Sequence, residues 1–281
     1  MPPLIAPLVV ASALLHALWN AALKRQADPE GASVAILAVA AIMSGAALLL
    51  PGGPGFPIAS GFGWALAAGV CEGGYFVTLA LALRQAPFGV VYPIARGGAL
   101  ALVWPASVLW LGEAITARTG AGVVLLTLGL VLVGREGRDR ATLRGVAWAV
   151  LCASAVAGYH LCYKLALDTG ASPGAVFAVA LAVALPVAVG RLGRGALGRT
   201  LLAWRASPLV VSVAGVLCAV SFLVFLSALA RGGAGAAVTL RNTSVLFALL
   251  LAWAIGERPR RPQVIGTMGV AFGAVLMGWP P

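Results

Sequence analysis

The sequence predicts an all-α integral membrane protein, with ten transmembrane helices arranged as two inverted five-helix repeats. Three observations predict it. Of 281 residues, 61% are hydrophobic and 10% charged, and mean hydropathy is +1.01; a soluble domain is nearer half apolar and a quarter charged. The apolar residues collect in ten runs close to the ~20 residues that a helix needs to cross the hydrocarbon. The end of the first half also recurs, glycine for glycine, at the end of the second.

The spans follow in order. Span one (4–23) is expected to be retained: it lacks a basic segment in front, and Lys24 and Arg25 come after the apolar run, unlike a cleaved signal peptide. Span two covers 32–50. Span three (60–83) carries "GVCEGG", in which Gly69 and Gly73 allow another helix to approach Glu72. Span four (88–111) carries "YPIARGG", where Pro93 removes a backbone bond and Gly97 and Gly98 permit bending beside Arg96. Spans five to ten cover 115–134, 144–166, 172–190, 208–230, 234–255 and 262–279. No loop between them can hold a soluble domain, so this chain alone cannot drive transport with ATP. The four cysteines, Cys71, Cys152, Cys162 and Cys218, lie in apolar runs without metal-ligand spacing and read as small core residues.

The basic residues give an orientation. Loops 1–2, 3–4, 5–6, 7–8 and 9–10 hold 14 of the 19 Lys and Arg residues; the opposite side holds Arg118, Lys164 and Arg231. Basic loops stay in the cytoplasm, so both termini are expected outside. The net charge of +11 is thereby assigned to membrane topology and not to nucleic acid.

The repeat is read from two stretches. "LGEAITARTGAGVVLLTLGLVLVG" from Leu111 and "IGERPRRPQVIGTMGVAFGAVLMG" from Ile255 match Gly112, Glu113, Gly122, Gly129 and Gly134 to Gly256, Glu257, Gly266, Gly273 and Gly278 at one offset, 144. "WNAALK" from Trp19 aligns with "YHLCYK" from Tyr159 at offset 140, and Arg96 with Arg241 at 145. Residues 1–138 and 139–281 form the two repeats. Five spans each is an odd number, so the halves insert in opposite directions. Such symmetry belongs to secondary transporters, whose substrate site lies at the repeat interface.

At this point the chain resembles a known family. Ten spans in two halves, "HALWNAALK" in span one and a Gly-Glu pair closing spans four and nine are similar to the drug/metabolite transporter superfamily, EamA type. The resemblance covers the whole chain. It implies a secondary carrier of small metabolites in the bacterial inner membrane. In phosphate-carrying relatives, basic residues of the equivalent spans are thought to bind the anion.

Polar groups inside spans mark candidate sites, because lipid does not solvate them. Arg96 and Arg241 are symmetry mates suited to a carboxylate or phosphate, which the planar guanidinium grips bidentately. Glu72 is either a static counter-ion for Arg96 or a carrier of the coupling proton. His16, Asn20 and Lys24 share one helical face at i, i+4 and i+8, with Trp19 beside it. His160 and Lys164 take the matching face of span six, with Tyr159 and Tyr163 alongside. Tyr92 and Asn242 neighbour the two arginines. These residues are expected to line a central cavity, with Lys24 and Lys164 snorkelling at span ends. Glu113 and Glu257 are expected to bridge to neighbouring loops or helix N-termini, as architecture with Pro93 and Gly97. Trp110 and Trp279 are interface anchors.

Other chemistries lack their residues. There is no GxSxG, HExxH or P-loop lysine motif, and no aspartate pair inside spans. No cofactor is implied. The function predicted is alternating-access transport of a small anionic or zwitterionic metabolite, coupled to protons or to exchange. The alternatives are a flippase for a lipid-linked phosphate and a membrane enzyme acting on a lipid phosphate.

Overall fold

The computed structural model describes residues 5–48, 55–111, 116–135, 140–231 and 240–278. Among these residues the regular elements are helical: α1 (Ile5–Lys24), α2 (Pro29–Ala47), α3 (Ala59–Gln85), α4 (Phe88–Leu111), α5 (Ala117–Gly134), α6 (Arg140–Asp168), α7 (Pro173–Leu192), α8 (Ala196–Ala206), α9 (Pro208–Arg231), α10 (Ser244–Ala254) and α11 (Arg261–Gly278). Among the described residues eight helical stretches are long and apolar enough to cross a membrane. The apolar helix of the ninth run is described over Leu240–Ala254, and α11 coincides with the tenth run.

Local chemistry sets the helix ends. Asp28 caps α2, accepting from the Gly31 amide at 3.2 Å, and Pro29 opens the helix. Thr116 and Thr119 form a reciprocal cap on α5. Ser172 caps α7 and Pro173 follows it, while Gly193 ends α7 at φ 64°. These are the orphan amides and carbonyls that every helix end must satisfy. Pro93 and Pro105 lie inside a continuous α4, so Pro93 does not break the span. The break comes instead in the symmetry-related stretch, where Thr243 forms a turn between the helical residues 240–242 and α10.

The sequence reading treats 191–207 as a loop; the structure forms α8 there. Three arginines within or flanking it, Arg194, Arg199 and Arg205, hide its apolar residues from any 20-residue hydropathy window.

Packing runs between the halves. α3 lies along α6 and α7, and α9 lies along α1 and α2; α4 packs on α6, and α10 on α1; α5 packs on α11. At the α5–α11 seam the glycines of the sequence repeat meet one another. A Cβ on Gly122 would stand 2.8 Å from the Gly273 carbonyl oxygen, and one on Gly129 2.5 Å from that of Gly266. In return, a Cβ on Gly273 or Gly266 would stand 2.6 Å from the oxygen of Gly122 or Gly129. Small residues let membrane helices touch backbone to backbone, where lipid supplies no hydrophobic drive to association.

The two ends of the bundle differ. At one end, Asp28 and Glu30 of the α1–α2 turn meet arginines from α3, α7 and α8. Arg199 binds Asp28 with two bonds, Nε–Oδ2 at 2.8 Å and Nη2–Oδ1 at 2.6 Å, and Arg84 binds Glu30 at 2.9 Å. Arg191 and Arg199 approach Glu30 at 3.6 and 3.7 Å. The α1–α2, α3–α4 and α7–α9 connections therefore share a side, as the charge count requires. Arg199 holds the Asp28 carboxyl below the usual carboxylate range. Lys24 departs from snorkelling. Its Nζ donates to the Leu83 and Ala86 carbonyls at 2.7 and 2.8 Å, closing the end of α3. Lys164 pairs with Asp168 one turn on. At the opposite end the Ser172 amide donates to the Gly55 carbonyl at 3.1 Å.

The Gly-Glu pair closing α10 has a physical reason. Gly256 adopts φ 89°, a conformation costly for any residue with a Cβ. The turn swings Glu257 onto the start of α4, where its carboxylate accepts from the amides of Phe88 at 2.6 Å and Gly89 at 2.9 Å. A carboxylate at a helix N-terminus satisfies orphan donors and the helix dipole together. The matching Glu113 lies outside the described residues, as do Trp279 and the side chain of Trp110.

Candidate functional site

The polar faces of α1 and α6 meet α3, α4, α9 and the start of the α10 region in the middle of the bundle. His16, Trp19, Tyr75, Tyr92, Tyr159, Tyr163, Glu72 and both arginines are buried, Arg96 at 3% and Arg241 at 1% exposure.

Arg241 is held by both terminal nitrogens, while its Nε has no hydrogen-bond partner. Its Nη1 donates to Ser12 Oγ at 2.6 Å and to the Ser221 carbonyl at 2.9 Å. Its Nη2 lies 3.1 Å from His16 Nδ1, and the guanidinium carbon stands 4.9 and 4.2 Å from the ring centres of Phe222 and Phe225. A desolvated cation–π contact is worth about 2 kcal/mol, so neutral acceptors and ring faces replace a counter-ion here. Trp19 Nε1 also points at His16 Nδ1, at 3.3 Å. Two donors on Nδ1 assign the imidazole proton to Nε2, which lies 3.4 Å from Tyr75 Oη. Asn20 turns back on its own helix, donating to the His16 carbonyl at 2.6 Å.

Arg96 is less well satisfied. Its Nη1 donates to Tyr159 Oη at 3.3 Å, and its Nε, like that of Arg241, has no hydrogen-bond partner. His160 packs on Tyr159 and Phe225, and its Nε2 is likewise unpartnered. Arg96, His160 and Asn242, with Ala99, Leu100 and Val103, line a pocket of about 10 Å³, room for a single water. The symmetry mates thus have unequal surroundings: Arg241 makes three hydrogen bonds and two ring contacts, whereas Arg96 makes one hydrogen bond and lines a small pocket.

Glu72 does not pair with either arginine. Among the described residues no ion pair within 4.0 Å includes it. Tyr163 donates to one carboxyl oxygen, and the other oxygen has no partner. The physical reason is the packing: α3 lies along α6, which brings Glu72 to Tyr163. Of the central cavity expected from the sequence, the described residues show the small pocket that Arg96 lines. Rings fill the centre, among them Tyr75 against Tyr159 at 5.6 Å and Phe177 stacked on Phe222 at 5.1 Å.

Sequence reasoning missed Ser12, Tyr75, Ser221, Phe222 and Phe225. Ser12 had a signal, since it extends the His16–Asn20 face by one turn. The phenylalanines had none, being ordinary in an apolar span. Among the described residues no cluster of three His, Cys, Asp or Glu could hold a metal ion, and the four cysteines are free thiols.

Comparison with known proteins fits this architecture. A solved crystal structure shares the fold at TM-score 0.64 and 20% identity, over 97% of this chain and 94% of that one. No curated protein matches the sequence. Residues 143–279 match the model of the EamA-like transporter family. The second half of the chain is thus similar to the EamA-like transporter family, a family of membrane transporters.

Proposed function

We propose that the chain is a ten-helix secondary transporter of the bacterial inner membrane, built from two inverted five-helix repeats, 1–138 and 139–281. Its cargo is a small anionic or zwitterionic metabolite, moved by alternating access. The packing pattern supports the repeat. Exchanging α1–α5 with α6, α7, α9, α10 and α11 converts the α3–α6, α3–α7 and α4–α6 contacts into α9–α1, α9–α2 and α10–α1, and maps the α5–α11 seam onto itself. The excess of Lys and Arg on one side supports termini that face out.

The observation that carries the site is the inequality of the two arginines. Arg96 and His160, each with an unpartnered nitrogen, line one small pocket, so the substrate anion binds there when the repeats part. Arg241 is the fixed cation that keeps the interior positive. Glu72, with one free oxygen, is the site of the coupling proton.

The test begins with a thermal-shift screen of metabolite carboxylates and phosphates, because a ligand that binds only the folded state raises the midpoint. The ligand found is then used for counterflow in proteoliposomes. Arg96→Gln is expected to abolish both the ligand shift and counterflow while leaving the ligand-free midpoint near that of the wild type. Arg241→Gln is expected to lower the ligand-free midpoint. Counterflow unchanged in Arg96→Gln overturns the site. Glu72→Gln is expected to retain exchange and lose proton-driven accumulation; accumulation at full gradient excludes it as the proton site.

A further inference from the structure

We propose that α8 is an interfacial anchor whose partner is the anionic phospholipid surface of the bilayer. The helix has 11 residues, so it is about 16 Å long and cannot cross a hydrocarbon core of about 30 Å. It joins α7 to α9 at the end of the bundle that carries Asp28, Glu30 and their arginines.

Its two faces differ. Ala196 and Ala203 are buried, and Arg199 holds Asp28. That face docks on the start of α2, where a Cβ added to Gly31 would meet the Arg199 carbonyl oxygen at 2.9 Å. On the other side Leu197 (73% exposed), Leu201, Leu202 and Trp204 are bare. Residues 197, 201 and 204 fall on one helical face. Trp204 Nε1 donates to Ser212 Oγ at 3.1 Å, which joins that face to the start of α9, where Leu209, Val210 and Val213 are also exposed. The apolar face of α8 is therefore continuous with a lipid-facing helix surface. An indole with a bonded N–H and exposed carbons suits the membrane–water boundary.

Charge names the kind of lipid. Arg194 and Arg205 are exposed and make no ion pair among the described residues. No Asp or Glu occurs between Asp168 and Glu257, so the nearby sequence offers these cations no competing carboxylate. Guanidinium groups beside an inserted apolar face match phosphate-bearing, negatively charged headgroups.

The experiment uses the full-length protein in vesicles of phosphatidylcholine with a minority of brominated lipid, either phosphatidylglycerol or phosphatidylcholine. Bromine quenches indole emission on contact, and the difference between wild type and Trp204→Phe isolates Trp204. The Trp204 component is expected to be quenched by both lipids, several-fold more effectively by brominated phosphatidylglycerol. In Arg194→Gln/Arg205→Gln that preference is expected to fall toward parity, and in Arg194→Lys/Arg205→Lys to persist. Each arginine is worth about five-fold in local anion enrichment. The glutamine pair touches only exposed side chains, so its midpoint in phosphatidylcholine is expected to equal that of the wild type. No quenching of Trp204 by either lipid overturns the anchor. Equal quenching by both in the wild type, or a preference that survives in the glutamine pair, overturns the anionic partner.

Discussion

Gly129→Ala tests the seam on which the two halves meet. The added methyl carbon would lie 2.5 Å from the Gly266 carbonyl oxygen, 2.7 Å from the Val270 nitrogen and 3.1 Å from the Gly269 carbonyl carbon. All three are backbone atoms, so no side chain can rotate away. Ordinary contact begins near 3.4 Å, so α5 and α11 must separate locally by about 0.9 Å. That loosens the neighbouring Gly122–Gly273 contact as well. Overpacking of this kind costs about 1–3 kcal/mol, against a gain of about 1 kcal/mol from replacing a helical glycine with alanine. Gly120→Ala is the control on the same helix. Nothing lies within 4 Å of its new carbon, so only the gain remains. In detergent, Gly129→Ala is expected to unfold at a lower temperature than wild type, and Gly120→Ala at an equal or higher one. Gly266→Ala, facing Gly129, should cost a similar amount. The two together should cost less than their sum, since one separation accommodates both methyls. A Gly129→Ala midpoint at or above that of Gly120→Ala would refute the close seam.

Two further perturbations address the polar end. Glu257→Ala removes the acceptor of the Phe88 and Gly89 amides and is expected to destabilise the protein by about 1–3 kcal/mol, read as a lower thermal midpoint; an unchanged midpoint would show that the cap contributes nothing. Asp28 is held below its ordinary pKa, chiefly by Arg199, so its contribution is complete above the unfolded carboxylate range near about 3.9 and is lost as pH falls through the depressed native value. Asp28→Asn is therefore expected to lower the midpoint at neutral pH by a fraction of about 1 kcal/mol, the pair being 38% and 35% exposed. The gap from wild type should close in strong acid, and a gap that widens on acidification would contradict the pairing.

The spans were legible because hydropathy over 20 residues is the constraint that lipid imposes, and predicted and observed ends agree within a few residues wherever both are described. The helix α8 was not legible, because 11 residues with arginines on them resemble a loop at that window. Arg96 and Arg241 stood out as charges in apolar runs, and the repeat paired them. Their contacts did not follow from that pairing. Matching charges by sign joined Glu72 to Arg96, but α3 faces α6, and a neutral phenol stands there instead. Ser12 and the Ser221 carbonyl came to Arg241 through the crossing of α1 and α9, a contact more than 200 residues apart in sequence. The size of the central cavity was not legible for a different reason: its volume depends on how far the helices have parted, which no list of lining residues determines.

The carboxylate of Glu257 ties together the two helical segments on which the arginines sit. Arg241 lies one turn before α10, α10 ends at Ala254, and Glu257, just past the Gly256 turn, grips the first two amides of α4, the helix of Arg96. The C-terminal end of α10 and the first turn of α4 thus form a single mechanical joint. A rigid displacement of α10 must drag the base of α4 with it or give up both bonds at once. Force applied near one cation is thereby delivered to the other through the Glu257 carboxylate, with no contact between the two arginines needed.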